Sequence, residues 1–297
     1  MQHDIVVVGS VNADLVLEVP RHPRPGETLL GHAISVLPGG KGANQAVAAA
    51  RLGARVAMVG AVGTDVYAEP ALTELRGAGV DLSGVRRVDG PSGLAIVTVA
   101  DDSENSIVVI AGANATTDTA AVDAVADLVT GAAVCVLQAE IPLDAVIRAA
   151  DVAHEAGRRV VLNVAPACQL PVETLRRADP LVVNEHEAAI LLDVPGIAGE
   201  DALNGLACLG IPSVVLTLGA AGVVGVDEVG SWSLPARSVS PRDTTGAGDA
   251  FVGALAVGLA RGESVREAAL LATRVAAASV RQLGAQPSYP WQGDDLP

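Results

Sequence analysis

Apolar and polar positions follow each other along this chain in blocks. Short apolar runs at 5–9, 56–61, 133–138, 160–164, 181–183 and 213–218 are separated by amphipathic or Ala-rich stretches at 41–52, 66–78, 118–130, 143–156, 185–192 and 200–209. The short runs, such as Ile5-Val6-Val7-Val8, suit strands covered on both faces, and the longer stretches suit helices. This βαβα rhythm predicts an α/β fold, a mostly parallel sheet sandwiched by helices. Two long helices, 247–260 and 264–283, are expected to close the chain.

Two segments interrupt the rhythm. Residues 14–19 and 28–37 are strand-like yet lie between the first strand and the first long helix. Residues 92–100 and 106–111 form a hairpin-like pair around the polar turn Asp101-Asp102-Ser103-Glu104-Asn105. Strands without intervening helices predict a small separate β-sheet, placed as a lid over a site at the strand ends. The expected organisation is a single α/β domain over residues 1–297, with lid strands inserted at about 14–37 and 92–111.

Composition sharpens this picture. Half of the residues are apolar while only 2% are aromatic, so the core must be built from Ala, Val, Leu and Ile. Lys and Arg number 19 against 34 Asp and Glu, a net charge of −15, which argues against a sequence-independent grip on nucleic acid. An anionic ligand has to be held locally, by backbone N–H groups, a metal ion or a few basic side chains. Cys135, Cys168 and Cys208 are far apart and odd in number, which fits buried free thiols better than zinc or a disulfide framework. No apolar run is long enough to suggest a membrane span, and no basic leader precedes the first strand, so a cytoplasmic protein is expected.

The candidate chemistry concentrates at three places. Asp243-Thr244-Thr245-Gly246-Ala247-Gly248-Asp249 leads into an Ala- and Val-rich helix. Small residues at 246–248 expose backbone donors where the helix dipole is positive, which makes an anion site. Asp249 stands beside it, either as an ordinary first-turn carboxylate or as a base for an attacking hydroxyl. Asn12 and Asp14 follow the first strand, and an amide and a carboxylate spaced by one residue can share several hydroxyls of one ligand; a locally bonded turn is the alternative. Gly39-Gly40-Lys41-Gly42-Ala43-Asn44 opens the first long helix, with Lys41 and Asn44 about one turn apart, and Glu140 falls just past a strand end.

These segments resemble a known family. GGKGANQA (39–46) and DTTGAGDAF (243–251) look like the two signatures of the ribokinase family of carbohydrate and nucleoside kinases. Ala111-Gly112-Ala113-Asn114, Asn163 with Ala165-Pro166-Ala167, Asn184-Glu185-His186-Glu187 and Thr217-Leu218-Gly219-Ala220-Ala221-Gly222 extend the similarity over essentially the whole chain. The resemblance implies that Asp249 is the catalytic base and that the N–H groups of Gly246, Ala247 and Gly248 form the anion hole. It implies sugar binding by Asn12, Asp14, Gly40, Lys41, Asn44 and Glu140, with Asp243 contributing. Asn184 and Glu187 would organise Mg2+ through water, and Thr217, Gly219, Gly222 and Thr273 would lie along ATP. A monovalent cation, usually K+, would sit near Asp243, Thr245, Ser279, Gln282, Gly284 and Ser288. The implied reaction is transfer from MgATP to the terminal hydroxyl of D-ribose, and the implied assembly is a homodimer through the lid strands. A kinase for deoxyribose, fructose or adenosine, or a non-catalytic sugar-binding regulator, stands as the alternative.

Overall fold

The computed structural model of the chain describes residues 3–102 and 104–297. Its strands are β1 (Ile5–Val8), β2 (Asn12–Val19), β3 (Ala33–Gly39), β4 (Val56–Val62), β5 (Asp81–Arg87), β6 (Gly93–Ala100), β7 (Asn105–Ile110), β8 (Val134–Gln138), β9 (Arg159–Asn163), β10 (Leu181–Asn184), β11 (Val214–Thr217), β12 (Val223–Asp227) and β13 (Gly230–Leu234). The α-helices are α1 (Lys41–Arg51), α2 (Ala68–Gly77), α3 (Thr119–Ala124), α4 (Ala126–Gly131), α5 (Leu143–Glu155), α6 (Val172–Leu175), α7 (Glu185–Leu191), α8 (Gly199–Ala207), α9 (Ala247–Ala260) and α10 (Val265–Ser279).

A nine-stranded sheet runs in the order β13-β12-β11-β10-β9-β8-β1-β4-β5. From β11 to β5 every pairing is parallel, and β12 and β13 close one edge antiparallel. β1 and β4 are buried along their whole length, as unbroken apolar runs require. Ile5 and Val7 face a core shared with α1, α2, α9 and α10, whereas Val6 and Val8 face a second core under α3 to α8. Alternation along a strand thus divides the apolar residues between two helical layers.

The expected α/β sandwich is present, with differences in detail. The apolar pattern does not predict β5, β12 or β13, because Asp81-Leu82-Ser83-Gly84-Val85-Arg86-Arg87 is polar and the β12–β13 hairpin is a half-exposed edge. The helix expected over 118–130 breaks at Val125 into α3 and α4, and the one expected over 264–283 ends at Ser279. Only Cys135 is a buried thiol; Cys168 is half-buried and Cys208 exposed.

The second sheet has the order β3-β2-β6-β7, with β2 and β6 parallel and the outer pairs antiparallel. β3 starts at Ala33, so residues 28–32 stay outside it, and Ser103 of the β6–β7 turn lies outside the described residues. Three residues separate the end of β1 from the start of β2, and β3 runs through Gly39 and Gly40 directly into α1. The small sheet therefore joins the large one at the carboxyl end of β1. Among the described residues, no helix is long and apolar enough to cross a membrane.

Candidate active site

Four adjacent parallel strands each stop on a polar residue: Gln138 on β8, Asn163 on β9, Asn184 on β10 and Thr217 on β11. Open α/β sheets bind ligands beyond these carboxyl ends. From the end of β1 the chain crosses Gly9, Ser10 and Val11 into β2. There Asn12 and Asp14, two residues apart on a strand rather than in a turn, share one face of the small sheet. Asn12 is buried and its Oδ1 accepts from Asn114 Nδ2 at 2.7 Å. Asp14 Oδ1 is buried without a hydrogen-bond partner among the described residues, which marks it as an acceptor open to a ligand hydroxyl.

Glu140 binds this corner together. Its Oε2 accepts from Ser10 Oγ at 2.6 Å and from the Lys41 backbone N–H at 3.0 Å. Gly40, at φ 87°, caps α1 where a Cβ would lie 2.8 Å from the Asn12 nitrogen, and a Cβ at Gly42 would lie 2.7 Å from that of Ser10. A glycine-rich turn can let backbone approach a ligand closely. What the glycines at 40 and 42 allow here is close contact between the start of α1 and the Ser10–Asn12 backbone, which brings Lys41 within electrostatic reach of Asp14 and Asn44 to Asp249.

Asp249 lies in the first turn of α9 and is 6% exposed. The turn before it is clipped by Asp243, whose Oδ1 accepts from Thr245 N at 2.9 Å and whose Oδ2 accepts from Gly284 N at 2.8 Å. Gly246 is left-handed at φ 73°, and Tyr289 Oη donates to its carbonyl at 3.0 Å. The dipole and unpaired donors of a 14-residue helix converge at this end. A Cβ at Gly248 would enter open space. Ala247 departs from expectation: its N–H donates to Thr244 O at 3.2 Å, so this donor closes the turn and does not face outward. Asp249 Oδ2 accepts from Asn44 Nδ2 at 2.8 Å, and Oδ1 from Gln45 Nε2 at 2.9 Å. α1 and α9 come close enough for these bonds because Gly253, one turn beyond Asp249, has no Cβ to strike Ala48.

The electrostatics tie these side chains into one cluster. Asp249 contributes most to raising the Lys41 ammonium above its ordinary range; burial opposes it, and Glu140, Glu187 and Asp14 add to the rise. Burial pushes the Asp14 carboxyl up to about 7, with Glu140 and Asp249 adding to the shift and Lys41 opposing it. Burial also raises Glu187, against the Asn184 N–H and Lys41. Four carboxylates around one ammonium suit a ligand that donates many hydroxyl hydrogens, and repel a bare polyphosphate. They do not chelate by themselves: among the described residues, no three His, Cys, Asp or Glu side chains form a metal cage.

Other expected residues are placed as follows. Asn184 and Glu187 form a capping box at α7, each side chain bonding the other's backbone N–H, at 2.9 and 2.8 Å. Thr217 ends β11, followed by Gly219 and Gly222 around a short turn. Thr273 is buried and its Oγ1 donates to Ala269 O at 2.8 Å, so the helix itself uses its hydroxyl hydrogen. The hydroxyls of Ser279 and Ser288 donate to Ala276 O and Ala285 O; Thr245 and Gln282 are exposed. Sequence reasoning missed the roles of Gln45, Gln138, Gln286 and Tyr289. Gln45 lies inside the GGKGANQA segment and Gln286 between Gly284 and Ser288, but nothing in a linear pattern says that a buried glutamine bonds a carboxylate 204 positions away.

The pfkB family carbohydrate kinase profile matches residues 2–292. The chain is 40% identical to Bacillus subtilis ribokinase over 295 residues, covering 98% of this chain and 97% of the relative. It is 38% identical to Haemophilus influenzae ribokinase over 300 residues, covering 100% and 98%. The structure of Arabidopsis thaliana ribokinase complexed with ribose and ATP is similar at a TM-score of 0.91 and 34% identity, over 98% of this chain and 97% of that one.

Proposed function

Because the chain belongs to the pfkB family of carbohydrate kinases, we propose that it transfers the terminal phosphoryl group of ATP to O5 of D-ribose, yielding ribose 5-phosphate and ADP. The observation that carries this reading is the placement of Asp249: a buried carboxylate at the start of α9, beside a glycine turn and within the electrostatic reach of Lys41 and Asp14. Asp249 accepts the O5 proton as the oxygen attacks phosphorus. The N–H groups at Gly246 and Gly248 and the helix dipole offset the charge that spreads over the phosphoryl oxygens. Asn12, Asp14, Lys41 and Glu140 bind and orient the sugar, the open Oδ1 of Asp14 taking a hydroxyl. Asn44 belongs to the same group, although its amide is engaged here with Asp249 and Gln286.

The residues present fit the implied ions. Glu187 Oε2 takes the Asn184 N–H, which leaves Oε1 for the water shell of Mg2+, and an acidic cluster admits a nucleotide best when a divalent cation accompanies it. Burial works against the charge on Asp243, but the bonds from Thr245 and Gly284 outweigh it, and its carboxyl sits below the ordinary range. That anion, with the oxygens of Thr245, Ser279, Gln282, Gly284 and Ser288, forms a hard donor set suited to K+. Such a cation supplies a fixed positive field behind the anion turn. Thr217, Gly219 and Gly222 line the nucleotide, with Thr273 offering its methyl group. We place the enzyme in the cytoplasm, where the unpaired thiols of Cys135, Cys168 and Cys208 are stable.

A coupled ADP-release assay over ribose, deoxyribose, fructose and adenosine tests the substrate. Ribose is expected to give the highest kcat/KM. Asp249→Asn is expected to keep ribose binding by calorimetry while lowering kcat by a factor on the order of 10² to 10⁴. Turnover near wild type in that variant refutes the base.

A further inference from the structure

Asp249 is held from two sides, and the inner side is a chain of amides that the proposed chemistry does not use. Gln45 on α1 is fully buried, and its Nε2 reaches both Asp249 Oδ1 at 2.9 Å and Asn163 Oδ1 at 3.1 Å. Its Oε1 accepts from Gln138 Nε2 at 2.6 Å, and Asn163 Nδ2 passes on to Val182 O at 3.0 Å. The direction of every bond follows from one fact: an ionised carboxylate only accepts. Gln45 must therefore turn its nitrogen to Asp249 and its oxygen away, and that oxygen in turn needs the nitrogen of Gln138. Gln138 and Asn163 close the ends of β8 and β9, so the chain is anchored in the rigid centre of the sheet.

We infer that Gln45 is a positioning residue: it holds Oδ1 of Asp249 toward the sheet and so presents Oδ2 to the substrate hydroxyl. Asn44, the partner of Oδ2, belongs to the proposed sugar side, whereas Gln45 and Gln138, on the Oδ1 side, are fully buried. A carboxylate turns freely about its last bond unless something fixes its plane. Fixing the inner oxygen keeps the outer one within reach of a proton at each turnover, and a small misplacement of such a group is costly in rate. The inference rests on the reading of Asp249 as the base.

Gln45→Met keeps the volume and removes the donor. Its kcat is expected to fall roughly 10- to 100-fold with the ribose KM within about threefold of wild type. In an Asp249→Asn background the same substitution is expected to add no further loss, because both changes remove one function. A kcat within about threefold of wild type, a loss confined to KM, or losses that multiply in the double variant each overturn the inference. If Gln45→Met fails to fold, Gln138→Met decides: a kcat loss above about threefold at unchanged KM supports the relay, and an unchanged kcat overturns it. A crystal structure of either variant separates this idea from the kinase reading. Asp249 reoriented or split between two rotamers supports the role of Gln45, and an unmoved carboxylate refutes it, even if wild type phosphorylates no sugar tested.

Discussion

At the scale of single residues, Asp14 is the group whose surroundings conflict most with its charge. Its carboxyl is raised to about 7 from an ordinary 3.8, first by burial and then by Glu140 and Asp249. The native state thus binds a proton between about pH 4 and pH 7 that the unfolded chain has released, and its stability falls as pH rises through that window. The shift corresponds to about 4 kcal/mol at most. Asp14→Asn is expected to match wild type in urea unfolding near pH 4 and to exceed it increasingly toward pH 8, while binding ribose more weakly. Parallel stability curves for the two proteins across that range contradict the assignment. The unpartnered Oδ1 of Asp14 is where a ligand hydroxyl would offset part of that cost.

At the scale of elements, the site depends on α1 and α9 meeting at the right depth, and the segment after α10 locks them. Arg51, at the end of α1, donates to Gln286 O at 2.7 Å and Tyr289 O at 2.8 Å, pairs with Glu74 at 2.5 Å, and stacks on Trp291. The same segment sends Gln286 Nε2 to Asn44 and Tyr289 Oη to Gly246. Removing the guanidinium strands two buried carbonyls and a half-buried carboxylate. Arg51→Met is therefore expected to cost about 3 kcal/mol in denaturant unfolding and to lower kcat through the loosened α9 turn. Wild-type stability and kcat together argue against the lock. This arrangement also shows where sequence reading stops. The α/β order, the two glycine signatures and Asp249 are legible because apolar periodicity and small-residue turns are local signals. The Gly253–Ala48 crossing, the Gln45 bond and the Arg51 clamp pair residues on elements far apart in the chain, and each residue alone looks ordinary. Polar β5 and the half-exposed β12–β13 edge escaped for a related reason: their strand character comes from their neighbours in the sheet.

At the scale of the molecule, the two sheets differ sharply in what covers them. The large sheet is buried under helices on both faces except toward its edges, whereas the small sheet leaves Ile34, Val36 and the run Ile107-Val108-Val109-Ile110 exposed, with Val108 at 61%. β7 is exposed at every position and, among the described residues, pairs only with β6, so it offers a free edge as well as an apolar surface. A chain with net charge −15 resists association in general, which makes an uncovered apolar strand there a cost unless a specific partner covers it. A second copy meeting the first through this sheet buries both edges at once by a two-fold axis, and so the proposed assembly is a homodimer. Because β2 carries Asn12 and Asp14, pairing of the small sheets would also steady the proposed sugar face. Sedimentation at micromolar concentration is expected to give twice the chain mass. Val108→Lys is expected to give a folded monomer that binds ribose more weakly, with the main sheet intact by circular dichroism. A wild-type monomer refutes the assembly; a monomeric Val108→Lys with unchanged ribose affinity would retain the dimer but sever its link to the sugar site.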